Sequence, residues 1–231
     1  MRVSFWTRIF DLIAPRQCAV CGQRLAVSES VLCASCHLHL PLTGYERTPK
    51  DNEMARRFWG LIPIEQAAAL FFYEAQSETA RLVYDLKYHD RPDIGYQTGY
   101  ITARQFAAAG FFRDIDAIVP MPLSRRRQWQ RGYNQSIEIA RGVSEVTGIP
   151  VIKAARRIHF KQSQTRLNRY ERQDNTASAF QLVSPDLIRD KHLLLVDDIV
   201  TTGATVISLA QELMKAGNVR FSVLSLGYTK T

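Results

Sequence analysis

Apolar positions along this 231-residue chain change their rhythm near residue 60. Up to there, two cysteine pairs, Pro41, Pro49 and a polar run over residues 47–53 break any sustained strand or helix period. From Ala67 onward, short apolar runs alternate with stretches whose apolar residues recur at helical spacing. Residues 67–73 predict a strand. Residues 77–88 predict a helix, with Ser77 as its cap and Glu78 in its first turn. A second helix is expected over 92–109, a short buried strand over 116–121, and a helix over 135–147 stopped by Gly148 and Pro150. Residues 151–152 fit a brief strand and 192–196 a fully apolar one; 204–216 fit a helix and 221–226 a closing strand. Repetition of strand and helix implies an α/β fold, a parallel sheet with helices on both faces. The break in texture divides the chain into a small module, residues 1–60, and a larger domain, residues 61–231. In the first fifteen residues, Phe5, Ile9, Leu12 and Ile13 line one side of a short amphipathic helix. Arg8 and Asp11 interrupt it and no small-residue cleavage site follows, so it does not read as a signal peptide.

Composition adds little to the fold and something to the choice of partner. With 46% hydrophobic and 23% charged residues the chain has the makings of an ordinary core. Its formal net charge of +8 favours a polyanionic partner, a phosphorylated metabolite or a nucleic acid. No stretch is long and apolar enough to cross a bilayer, so no membrane insertion and a cytoplasmic location are expected.

The strongest chemical signal is the run from Leu193 to Thr205, LLLVDDIVTTGAT. Four apolar residues form a buried strand, and Asp197 and Asp198 stand at its carboxyl end. A loop with Thr201, Thr202 and Gly203 then opens a helix at Ala204 and Thr205. Ligands of parallel α/β sheets bind beyond the strand ends. Small residues let backbone N–H groups close on a phosphate, and the helix N-terminus adds favourable partial charge. Adjacent acids would repel that phosphate unless they face another part of the ligand, such as ribose hydroxyls. For an isolated Asp-Asp pair, a solvated strand end would be the simpler reading. Here the whole run resembles, position by position, the phosphoribosyl pyrophosphate (PRPP) signature of type I phosphoribosyltransferases.

Further motifs narrow the resemblance. Val119-Pro120-Met121-Pro122, Arg125-Arg126-Arg127 and Arg131-Gly132-Tyr133-Asn134-Gln135 look like those of the ComF/GntX family of competence-associated proteins. The order of a Cys-rich start, Leu86-Lys87-Tyr88, a segment with Gln164, Arg172, Asn175 and Phe180, and the Asp-Asp loop does so too. This likeness spans about Pro15 to the end. It implies a type I phosphoribosyltransferase-like sheet with a small N-terminal zinc-ribbon-like module, in a setting of natural competence or use of external DNA. Carried over by position, Asp197 and Asp198 would hold the ribose hydroxyls and Thr201 to Thr205 would wrap the 5-phosphate. Lys87 would approach pyrophosphate, and Arg131 and Asn134 would lie in a segment over the reacting centre. Mg²⁺ would accompany PRPP. For Lys87 an exposed helix-end lysine, and for Arg125 to Arg127 a solvated basic face, are the plainer alternatives.

All four cysteines form Cys18-x-x-Cys21 and Cys33-x-x-Cys36, eleven residues apart. Two such pairs can surround one tetrahedral Zn²⁺, leaving no open coordination position, so a single structural zinc is expected. Disulfides are disfavoured in a reducing compartment. Cys33 to His37 also reads as a haem-attachment motif, but that requires export and leaves the first pair unexplained. His37 and His39 read as surface residues. The tract of Lys153, Arg156, Arg157, Lys161, Arg166, Arg169 and Arg172 with His159, Phe160 and Tyr170 fits single-stranded DNA. It fits equally a hood over the PRPP site. Three functions stay open on sequence: a phosphoribosyl-transferring enzyme, a PRPP- or nucleotide-binding regulator without turnover, and a DNA-handling protein.

Overall fold

The computed structural model describes residues 15–158 and 179–230. The N-terminal amphipathic segment and the basic tract beyond Arg157 lie outside the described residues. Within them, Ala34–Leu38 (α1) and Glu53–Arg56 (α2) are short helices in an otherwise irregular N-terminal region. Then follow Ile64–Phe72 (β1), Glu78–Tyr88 (α3), Pro92–Ala108 (α4), Ala117–Pro120 (β2), Arg125–Arg131 (α5) and Gln135–Thr147 (α6). Ala155–Arg157 (β3) pairs with Phe180–Leu182 (β4), and His192–Val200 (β5), Ala204–Leu213 (α7) and Arg220–Tyr228 (β6) complete the order.

β1, β6, β5 and β2 form, in that order, a sheet whose pairs are all parallel. The periodicity finds every one of these strands but misjudges their lengths. β5 continues through both acids to Val200, because β6 runs beside it until Val200 faces Tyr228. Residues 150–152 add one parallel bridge, Ile118 to Val151, instead of a full strand. Ser77 stands at the N-cap of α3, yet its hydroxyl turns back to donate to Glu74 O and leaves the helix without a side-chain cap.

Both sheet faces are covered, which is why β5 reads as an unbroken apolar run. Leu194 and Val196 share one core with Ile94, Phe106, Ile139 and Val143 of α4 and α6. Leu193 and Leu195 share the other with Val206, Leu209 and Leu213 of α7 and with Phe58. Val20, Leu25, Val31 and Leu40 from the cysteine region join the first core beside Leu82 and Val83 of α3. The open edge of β1 is blunted by the preceding segment. Phe72 N donates to Pro41 O and Ala67 N to Pro49 O, both at 2.8 Å. The Asn52 side chain adds a bond to Ala67 O.

Candidate functional site

β2 ends at Pro120, opposite Val196. The next residues of β5 are Asp197 and Asp198, half-buried and flanked by β6 on one side only. Asp197 Oδ1 accepts from Ser136 Oγ of α6 at 3.2 Å and from the N–H of Asp198 at 2.9 Å. Asp198 Oδ1 accepts from Ile199 N, and its Oδ2 meets Lys87 Nζ at 3.1 Å. The helix-end lysine singled out in the sequence is thus folded onto the acids. The Lys87 side chain is 23% exposed and that of Asp198 14%, so the pair is far better shielded than a surface salt bridge. Burial, and then the charge of Asp198, push Asp197 up to about 7. The Asp198 N–H, the Ser136 hydroxyl and Lys87 only partly offset this. Near neutrality Asp197 is therefore only partly ionised.

Past the acids the chain turns through Thr201 and Thr202, both exposed, to Gly203 at φ +79°. A Cβ at Gly203 would stand 2.9 Å from Phe58 Cε1, so both backbone sign and space call for glycine. Gly203 occupies the N-cap of α7 and supplies no side chain there. Ala204 N reaches Thr202 Oγ1 at 3.4 Å, and the helix's own ladder begins with Ile207 N to Gly203 O. The N–H groups of Thr205 and Val206 have no partner among the described residues and border a hollow of about 30 Å³. Asp197, Ile199, Val200 and residues 201–206 line it. Carboxylates at one end and free N–H groups at a ten-residue helix terminus at the other give the site two unlike halves.

Of the remaining residues singled out, Arg131 ends α5, donates to Gln135 Oε1 at 2.9 Å, and lies 5.5 Å over the Tyr88 ring. It is thereby held against the end of α3 that carries Lys87. Asn134 is buried, with both ends of its amide engaged in the fold. Its Oδ1 caps α6 through Ser136 N, and its Nδ2 donates to Met121 O at 3.0 Å. Tyr133 donates to Leu86 O, fastening this loop to α3. Sequence reasoning missed Ser136, 61 residues from its partner Asp197. Gln135, which it treats only as the end of a motif and gives no role, has a buried Nε2 with no acceptor among the described residues. The one available signal was their position directly after the Arg-Gly-Tyr-Asn motif.

The four thiols converge. Their sulfurs all lie within 4.8 Å of one another, and Cys21 Sγ is 3.8 Å from Cys33 Sγ. Zn–S bonds of about 2.3 Å in a tetrahedron place sulfurs roughly 3.8 Å apart, so the donor set fits one metal ion. Each pair makes a turn. Gly22 N returns to Cys18 O at φ +75°, and Cys36 N points at Cys33 Sγ where α1 begins. Burial raises the Cys18 thiol, but N–H groups of Cys21, Cys33 and Val20 outweigh it and bring it down to about 7. Burial and the neighbouring sulfurs push Cys36 strongly up. His37 and His39 are exposed and outside the cluster.

The chain is similar to competence protein F of Haemophilus influenzae, 34% identical over 120 residues that cover 51% of this chain and 52% of the relative. It is 28% identical over 215 residues to DNA utilization protein YhgH of Escherichia coli O157:H7, covering 87% of this chain and 85% of that one. Among solved structures, glutamine phosphoribosylpyrophosphate amidotransferase from B. subtilis overlaps 60% of this chain and 30% of its own at 20% identity and a TM-score of 0.42. No protein-family profile matches the chain.

Proposed function

Because the chain is a homologue of competence protein F and of DNA utilization protein YhgH, we propose that it is a PRPP-binding, phosphoribosyltransferase-like protein of DNA utilization. One observation carries this reading: two adjacent half-buried acids stand beside the open N-terminus of α7, joined by a threonine- and glycine-containing turn. A ligand with a vicinal diol and a phosphate matches both halves. Asp197 and Asp198 accept from the ribose hydroxyls. Thr201, Thr202 and the N–H groups of Thr205 and Val206 hold the 5-phosphate, where the helix terminus favours negative charge. Lys87 exchanges its bond to Asp198 for the pyrophosphate, and Arg131, beside the same helix end, adds a second cation. Asn134 acts through position, fixing the start of α6 and with it Ser136 on Asp197. Mg²⁺, entering with PRPP, would supply positive charge to offset that of the leaving pyrophosphate. Positive charge that develops on the ribose as pyrophosphate departs is met by the acids, which makes the site suited to phosphoribosyl transfer. The cysteine cage holds one structural zinc in the N-terminal module of residues 1–60, packed against the domain of residues 61–231 that carries the chemistry. The protein works in the cytoplasm.

Calorimetry with PRPP and Mg²⁺ tests the assignment. Native protein should bind, and D197A/D198A should bind at least about a hundredfold more weakly, with its zinc content unchanged. Undiminished binding by that variant removes the site. Pyrophosphate release over a panel of nucleobases then separates an enzyme from a regulator that binds without turnover.

A further inference from the structure

The arginines that open α5 sit where local electrostatics disfavours them. Arg125, Arg126 and Arg127 fill the first turn of a seven-residue helix, whose exposed N–H groups repel cations. No residue of α5 is buried, so packing does not explain the helix either. Ser124 caps it by accepting from Arg127 N. Across a cavity of about 430 Å³ Arg126 and Arg127 face Arg157 at the end of β3; Ser124 and Gln130 complete the lining. Arg157 is braced 5.3 Å over the Phe180 ring. Its charge is disfavoured by burial and by Arg127 opposite, and relieved by Asp197, which puts the cavity within electrostatic reach of the acid pair. Among the described residues no carboxylate forms an ion pair with Arg126, Arg127 or Arg157. Arg156, by contrast, turns away to Gln181.

We propose that this cavity binds a phosphate-bearing small molecule of the phosphomonoester class, seated beside the acid pair. Three planar guanidinia supply forked donors for a phosphate dianion, and Ser124 and Gln130 add neutral ones. The volume falls within the range that takes an organic group as well as its phosphate. The cations converge from two elements on one space, as suits a single phosphate; a nucleic-acid strand would call for a track. The binding site stands without the PRPP reading; its role as the seat of a second ligand rests on that reading. The ligand would be the acceptor or an effector of the chemistry next door.

The test is calorimetry at low ionic strength with phenyl phosphate, on the full chain with and without saturating PRPP and Mg²⁺. Native protein should bind phenyl phosphate in the presence of PRPP. R126A/R127A, altered only at exposed positions, should bind it at least about tenfold more weakly while its PRPP affinity stays within about twofold of native. Equal binding of phenyl phosphate by native and variant overturns the proposal. So does its complete displacement by PRPP, or joint loss of PRPP affinity in the variant, either of which would assign the cavity to the pyrophosphate of PRPP. A twelve-nucleotide single strand that binds about a hundredfold tighter than phenyl phosphate, with that gain lost in the variant, would make the cavity a nucleic-acid contact and also overturn it. Should native protein ignore PRPP altogether, the ribose-phosphate assignment fails, and the phenyl phosphate comparison still decides the cavity.

Discussion

Asp197 carries more of the site's electrostatics than any other side chain. Its burial and the neighbouring charge of Asp198 lift it to about 7, well above the ordinary carboxylate range. An acid held protonated by the fold favours the folded state while the pH is low. That advantage fades as pH rises from the ordinary carboxylate range to about 7, because the unfolded chain has already released its proton. Asp197→Asn removes the titration. The stability of the Asn variant relative to native should therefore grow between pH 5 and 7, by at most about 1.4 kcal/mol per pH unit, and level off above. Denaturant melts of the two proteins across that range provide the check, and parallel pH profiles would refute the raised acid. Lys87 shows why a residue's identity is not its role. As a helix-end lysine it has an ordinary sequence context, and only the tertiary placement of α3 delivers it to Asp198.

Among the elements, the crossing of α4 and α6 matters most, since α6 brings Ser136 to Asp197. A Cβ at Gly99 would lie 2.3 Å from Ile139 O, and one at Gly142 would lie 2.1 Å from Tyr96 O. The two helices touch backbone to backbone. Helix propensity alone says that Gly142→Ala stabilises, by roughly 0.5–1 kcal/mol. The contact reverses the sign: the added methyl must force the helices apart, at a cost of about 2–3 kcal/mol. Chemical denaturation reads the difference directly, and a more stable alanine variant would show that the crossing is looser than described. The same displacement should weaken PRPP binding, because Ser136 and the Asn134 cap ride on α6.

At the scale of the whole molecule, the cysteine cage is continuous with the main core. Cys18 and Cys33 are buried together with Val20, Val31, Leu82 and Leu86. Elemental analysis should find close to one zinc per chain, and its removal by a chelator should lower the melting temperature of the entire protein by about 5 °C or more. Haem in the preparation, or a protein indifferent to chelation, would overturn the assignment. Much of this was legible in one dimension. Apolar runs buried on both faces announce a parallel sheet, because strands covered on both sides need no polar alternation. Cys18, Cys21, Cys33 and Cys36 announce a cage, because their spacing is local. The Asp197–Thr205 run announces a strand-end site, because all its parts are consecutive. What spacing could not convey is everything made by distant segments. The pairing that carries β5 past both acids depends on β6, the hydroxyl on Asp197 comes from α6, and the cavity under Arg126 and Arg127 exists only once β3 lies across from α5. Local chemistry is written in neighbouring residues. The partners of each group, and so its charge and reach, are set when the chain brings remote segments together.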